Sequence, residues 1–286
     1  MADAERHRER GGPGGRTATW LLLGVWVAAL LAAGFAGRAP AALLAAHRGG
    51  AGLWPENSLL AFRSALALGV DFLELDVHLT RDDRLVVIHD PTLERTTTGI
   101  GAVRAATLEE LRAHRLRDGG AERIPTLEEV LDLVHPTGTG LLLEIKTAPR
   151  REPYPGIEDR VLRLLRARGL VPRTVVMSFE PSIVRRVREL DPTIRTSLVV
   201  SARRLGREGA VPAAAVAWAA DAGATDIGIQ HTLITPALVA AARARGLRIG
   251  AWTVNDEAAM RRMIDFGVDV LITDRPDLAR TLLSGR

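Results

Sequence analysis

Beyond residue 40 the chain alternates short apolar runs with longer amphipathic or alanine-rich stretches. The runs at 43–46, 72–77, 141–145, 174–178, 196–200, 226–229, 248–253 and 268–273 predict eight strands. Helices are predicted between them over 58–68, 126–134, 155–168, 181–190, 212–222, 236–245 and 256–266. Several begin at a proline, which suits a first turn whose N–H has no partner, and several end near a glycine, as at Gly69, Gly169 and Gly246. Thr126-Leu127-Glu128-Glu129 has the spacing of a capping box. Strand–helix alternation argues for parallel strands and the α/β class. Residues 41–286 come close to the about 250 of a (β/α)8 TIM barrel, which is the predicted architecture. One apolar run, 85–88, breaks the alternation. It follows Arg81-Asp82-Asp83-Arg84 too closely for a helical crossover and predicts the return arm of a β-hairpin. Residues 90–125 then form an insertion after the second strand, over the barrel mouth.

Upstream the pattern changes. Residues 1–16 are polar and carry Arg6, Arg8, Arg10 and Arg16, and the 21 residues 17–37 are uncharged. A membrane-spanning helix needs about 20 apolar residues, and arginines before the span place the N-terminus in the cytoplasm. The expectation is a cytoplasmic tail (1–16), a transmembrane anchor (17–37) and a domain (41–286) outside a cell membrane. The alternative is a signal segment cleaved near the small residues at 33–36, releasing a secreted domain.

Cysteine is absent, which excludes disulfides, thiol nucleophiles and thiolate metal sites. A net charge of +4 invites a nucleic-acid reading, but the arginines are scattered among 34 acidic residues and aromatics make up 4% of the chain. Base stacking wants more aromatic surface, so no nucleic-acid partner is expected. All but one of the 38 basic residues are arginine; the exception is Lys146. Base composition explains the arginines but not the lysine that remains beside Glu144; an ammonium is not a guanidinium, so Lys146 is a site candidate, a chance survivor being the alternative.

Four clusters fall at the predicted C-terminal ends of strands: His47-Arg48-Gly49, Glu74-Leu75-Asp76, His89-Asp90 and Glu144-Ile145-Lys146. Glu74 and Asp76, two apart on a strand, share a face, and in a barrel that face is the interior. Buried carboxylates need a cation or a partner. With Glu144 they make an oxygen donor set suited to a hard ion, Ca2+ or Mg2+; ordinary ion pairs with arginine are the alternative. His47 and His89 suit acid–base work because imidazole titrates near neutral pH. Arg48 suits a phosphoryl oxygen, or a salt bridge. His78 lies out of phase with Glu74 and Asp76 and is expected to face outward.

The runs AHRGGAGLWPENSLLAF, VDFLELDVHLTRDD and LVVIHDPTLERTTTG, followed by LLLEIK, AWTVND and VLITDRPD, resemble the glycerophosphodiester phosphodiesterase family over residues 44–286. That resemblance implies a TIM barrel, a divalent metal held by Glu74, Asp76 and Glu144, and His47 and His89 as general acid and base. It implies Arg48 and Lys146 toward the phosphate and Trp252 against the glycerol or head group. Glu56 matches a position near the metal, and a helix-entry carboxylate is its plainer reading. Ser58 stands where the family often has Thr, and Asp83 where a turn glycine is common.

The expected activity is metal-dependent hydrolysis of a glycerophosphodiester to sn-glycerol 3-phosphate and an alcohol. The alternatives are a lysophospholipase D or sphingomyelinase-like phosphodiesterase, and a non-catalytic phosphoglycerol-binding envelope protein.

Overall fold

The computed structural model describes residues 42–284. Nine strands are present among them: β1 (Leu43–Ala46), β2 (Phe72–Leu79), β3 (Leu85–Val87), β4 (Gly140–Ile145), β5 (Thr174–Ser178), β6 (Arg195–Val200), β7 (Asp226–Gln230), β8 (Arg248–Trp252) and β9 (Val270–Thr273). Eight are parallel and close into a barrel, because β1 pairs with both β2 and β9. β3 is antiparallel to the far end of β2, with Val77 opposite Val87 and Leu79 opposite Leu85. The predicted TIM barrel and hairpin are both present. β2 runs to Leu79, two residues beyond its predicted end, since the hairpin arm gives those residues a ladder to join.

Register decides what meets inside. In the β2–β4 pair Asp76 lies opposite Glu144 and Phe72 opposite Gly140. The inner layer is apolar toward one end, where Phe72, Leu142, Val175 and Val270 pack together, with Met177, Val199 and Ile272 above them. The Glu74, Asp76 and Glu144 carboxylates lie toward the other end, where the strands finish, while Arg195 and Asp226 pair with each other at the starts of β6 and β7. The outer faces of the strands pack under the helical shell, and all eight residues of β2 are buried. A parallel barrel buries both faces of its strands, which is why their runs read as continuously apolar rather than alternating.

The helices follow the apolar patterning. The Thr126 capping box forms as predicted: Glu129 N–H donates to Thr126 Oγ1 at 3.2 Å and Thr126 N–H donates to Glu129 Oε2 at 2.8 Å. Residues 90–125 are more ordered than an insertion read from sequence suggests. They build a small core from Leu93, Val103, Leu111, Leu116 and Ile124, together with Val86 and Ile88. They also contain a short helix, Leu108–Arg112, with its own capping box at Thr107 and Glu110. Helices Ala202–Glu208 and Pro276–Ser284 were not predicted either. The first is seven residues long, contains Gly206 and buries only Leu205, so it carries no apolar period; Ser201 starts it by accepting from Arg204 N–H.

The expectation of a membrane protein with its domain outside is corrected. Among the described residues no helix is long and apolar enough to cross a membrane. The 17–37 span on which it rested lies outside the described residues.

Candidate active site

The site is assembled at the C-terminal ends of the strands. β1 ends at Ala46, and a tight turn, His47–Gly49, follows with Arg48 at φ 52°. Gly49 has φ 82°, and a Cβ there would sit 2.8 Å from Ala61 Cβ, so only glycine fits. The turn aims Arg48 N–H at Glu74 Oε2, 2.8 Å away.

Glu74, Asp76 and Glu144 converge as expected, each offering a carboxylate oxygen within 4.8 Å of the others, all buried. Lys146 Nζ lies 2.9 Å from Asp76 Oδ1 and 2.8 Å from Glu144 Oε1. Asn57, itself at φ 57°, donates its side-chain N–H to Asp76 Oδ2 at 2.9 Å. Burial first, then the neighbouring Asp76, pushes the Glu74 carboxyl up; burial also raises Glu144. Burial opposes the Asp76 anion too, but Lys146, His89 and Arg48 outweigh it and hold that group well below the carboxylate range. The cluster therefore has more buried carboxyl than its lysine and arginine can neutralise. A divalent cation among Glu74, Asp76 and Glu144 would supply the missing charge, and an all-oxygen donor set fits a hard ion.

Two histidines face this cluster, each oriented by an aspartate. His47 Nδ1 lies 2.6 Å from Asp274 Oδ1, which leaves Nε2 toward the site, 3.9 Å from Glu74 Oε2. His89 Nδ1 lies 2.6 Å from Asp90 Oδ1. Burial works against the His47 cation, but Glu74 and the Asp274 hydrogen bond outweigh it and raise that imidazole. Burial, and then Lys146, pushes His89 down to about 4. Asp274 is itself held by the side-chain N–H of Asn255 at 2.6 Å.

Arg48 bridges Glu56 and the carboxylate cluster. Arg48 Nη1 donates to Glu56 Oε1 at 3.1 Å, and its Nε sits 3.6 Å from Asp76 Oδ2. Arg95, on the insertion, forks between Glu56 (2.8 Å to each oxygen) and Asp90 (2.6 Å from Nε). It clips the insertion to the loop after β1. Trp252 ends β8 with its ring edge against Phe179, and its Nε1 is buried without a hydrogen-bond partner. A pocket of about 70 Å3 lies beneath it, lined by His47, Glu74, Lys146, Met177, Val199 and Gly228, among others.

Sequence reasoning missed several of these groups. Asp274 stood at the end of β9, where barrel enzymes place chemistry, so its position was a usable signal. Asn57 gave none, nor did Arg95 for its contact with Glu56, because those partners are distant in sequence. His78 points out of the barrel as expected, yet it is buried. It lies 2.8 Å from Tyr154 Oη through Nδ1 and 3.1 Å from the His89 carbonyl oxygen through Nε2. The outer face of a barrel strand is covered, so facing outward does not mean facing water.

Residues 47–278 match the model of the glycerophosphoryl diester phosphodiesterase family. The chain is 38% identical over 242 residues to YhdW of Bacillus subtilis (strain 168), covering 81% of this chain and 94% of that one. It is 36% identical over 242 residues to the glycerophosphodiester phosphodiesterase of Caldanaerobacter subterraneus subsp. tengcongensis, covering 82% and 95%. Among solved structures it is similar to an Oleispira antarctica phosphodiesterase in complex with the product sn-glycerol-3-phosphate. The TM-score there is 0.71 at 26% identity, covering 85% of this chain and 97% of that one. A match across nearly the whole barrel, together with the carboxylate cluster at its mouth, places this chain in the glycerophosphoryl diester phosphodiesterase family.

Proposed function

We propose that the domain 41–286 hydrolyses glycerophosphodiesters to sn-glycerol 3-phosphate and an alcohol, with His47 and His89 as its acid–base pair. The observation that carries this reading is the pair of aspartate-oriented histidines facing one three-carboxylate cluster. The product held by the related Oleispira antarctica phosphodiesterase supports the substrate class.

Ca2+ or Mg2+ held by Glu74, Asp76 and Glu144 would polarise the phosphoryl oxygens and neutralise charge as the reaction proceeds. The chain's own groups do the rest. Lys146 and Arg48 stand beside the cluster with donors for the phosphate. One imidazole removes a proton from the attacking hydroxyl, whose oxygen bonds to phosphorus. The bond from phosphorus to the alcohol oxygen breaks, and the other imidazole protonates the departing alkoxide. Asp274 and Asp90 hold each ring with Nε2 free for that exchange. The small pocket beneath Trp252 takes the glycerol half, with the indole N–H free to donate to a hydroxyl. The attacking hydroxyl is identified by trapping products within one turnover: a cyclic glycerol phosphate, which water then opens to sn-glycerol 3-phosphate, shows the glycerol 2-hydroxyl, and its absence shows water.

His47→Ala and His89→Ala, assayed on glycerophosphocholine with Mg2+ or Ca2+, are each expected to lose about a hundredfold or more in kcat, the usual range for removing an acid or a base. Near-native turnover by either variant refutes its role.

A further inference from the structure

Beside the site, between the loops after β4, β5 and β6, lies a second and larger cleft of about 560 Å3 that shares His89, Glu144, Lys146 and Phe179 with the small pocket. Its wall is made of guanidinium groups: Arg150, Arg151, Arg203, Arg204 and Arg207. Glu180 is the only carboxylate lining it apart from Glu144 of the metal cluster. Glu180 is already engaged by Arg151, whose Nε and Nη2 lie 2.9 and 2.5 Å from one of its oxygens.

Arg204 is engaged as well. It donates to the Phe179 carbonyl at 2.8 Å and to Glu208 at 3.2 Å, and it stacks over Trp218. Arg207 approaches the same Glu208 only to 3.8 Å. Arg150 and Arg203 are exposed and have no hydrogen bond or ion pair among the described residues. In an arginine-rich chain a lone unpaired arginine means little. A concave wall of five with one spent acid is different, because a cleft focuses the field of like charges. The contrast is a cleft of about 430 Å3 on the other side of the site, where Glu56 and Asp118 balance Arg95 and Arg117.

We infer that this cleft receives the alcohol half of the substrate and selects alcohols bearing a further anionic group, a phosphate monoester above all. The inference rests on the phosphodiesterase reading above and adds a substrate class to it. Phosphate is the group a guanidinium fork binds bidentately. Arg151 and Arg204 form the fixed part of the wall, and Arg150 and Arg203 supply the free donors.

The test compares three substrates on the full chain with added Mg2+ or Ca2+: glycerophosphoinositol 4-phosphate, glycerophosphoinositol and glycerophosphocholine. The first two differ only by the added phosphate. Their kcat/KM ratio is expected to be about tenfold or more in favour of the phosphorylated one, as charge-assisted hydrogen bonds of ordinary strength give. It should shrink as ionic strength rises. In Arg150→Gln/Arg203→Gln the ratio should fall toward one. A ratio near one in the parent, or an unaltered ratio in the double variant, overturns the inference while leaving the phosphodiesterase reading standing. If the ratio is unaltered but the double variant no longer sediments with phosphatidylglycerol vesicles, the wall reads a lipid surface and the head-group assignment is wrong. Failure to hydrolyse any of the three overturns the phosphodiesterase reading, and this inference with it.

Discussion

Lys146 shows how much one side chain can carry. Its ammonium sits between Asp76 and Glu144 at hydrogen-bond distance from both, and a planar guanidinium cannot occupy that point. Lys146→Arg keeps the charge but is expected to lower kcat/KM by about tenfold or more, because the two cations are not interchangeable where geometry is fixed. Unimpaired turnover would show that charge alone matters there. His78 makes a different kind of contribution. Burial pushes it down to about 4 from 6.5, so the unfolded chain takes up its proton first as the medium is acidified. Its share of stability is therefore complete above about pH 6.5 and is lost as the pH falls toward about 4. Urea unfolding of metal-free protein at several pH values should give a shallower loss over that window in His78→Gln than in the parent; equal slopes would exclude this role.

At the scale of elements, local signals acted where they stood. Thr126 and Glu129 cap a helix that buries Leu127, Val130, Leu131 and Val134 against the barrel. Thr126→Ala is expected to cost about 1 kcal/mol of global stability in urea unfolding. Thr107 and Glu110 form the same box on a helix of five residues that belongs to the separate core of the insertion. Thr107→Ala should instead leave the midpoint nearly in place and speed amide exchange or proteolysis within 90–125, as expected where a region opens by itself. A full shift of the midpoint would mean that the insertion and the barrel unfold as one unit. The same motif was legible at 126–129 because an amphipathic run follows it. At 107–110 the run is too short to show a period, and only the packing of Leu111 and Val103 reveals the helix.

For the whole molecule, the carboxylate cluster is expected to make stability respond to a divalent cation. Adding Mg2+ or Ca2+ should raise the melting temperature by an amount set by affinity, about 2.7 kcal/mol of stabilisation at a hundred times Kd. Chelator should reverse it, and Glu74→Gln/Asp76→Asn should abolish the response. No shift with either ion would remove the metal from the proposed mechanism. The fold class was legible because most strand residues are buried, which writes most strands as largely apolar runs, and because glycines and prolines punctuate the helices. Glu144 with Lys146, and His47, were legible because each sits at the end of such a run, and Glu74 with Asp76 because they interrupt one two residues apart. What the chain alone could not supply were the partners. Asp274 reaches His47 across 227 positions, and Arg95 reaches Glu56 across 39. His78 is buried although it faces out of the barrel. Periodicity reports which face of an element is apolar; it carries no information about what another element brings against that face. Closing the barrel through the β1–β9 pair brought Asp274 to His47, and the β2–β4 register set Asp76 opposite Glu144.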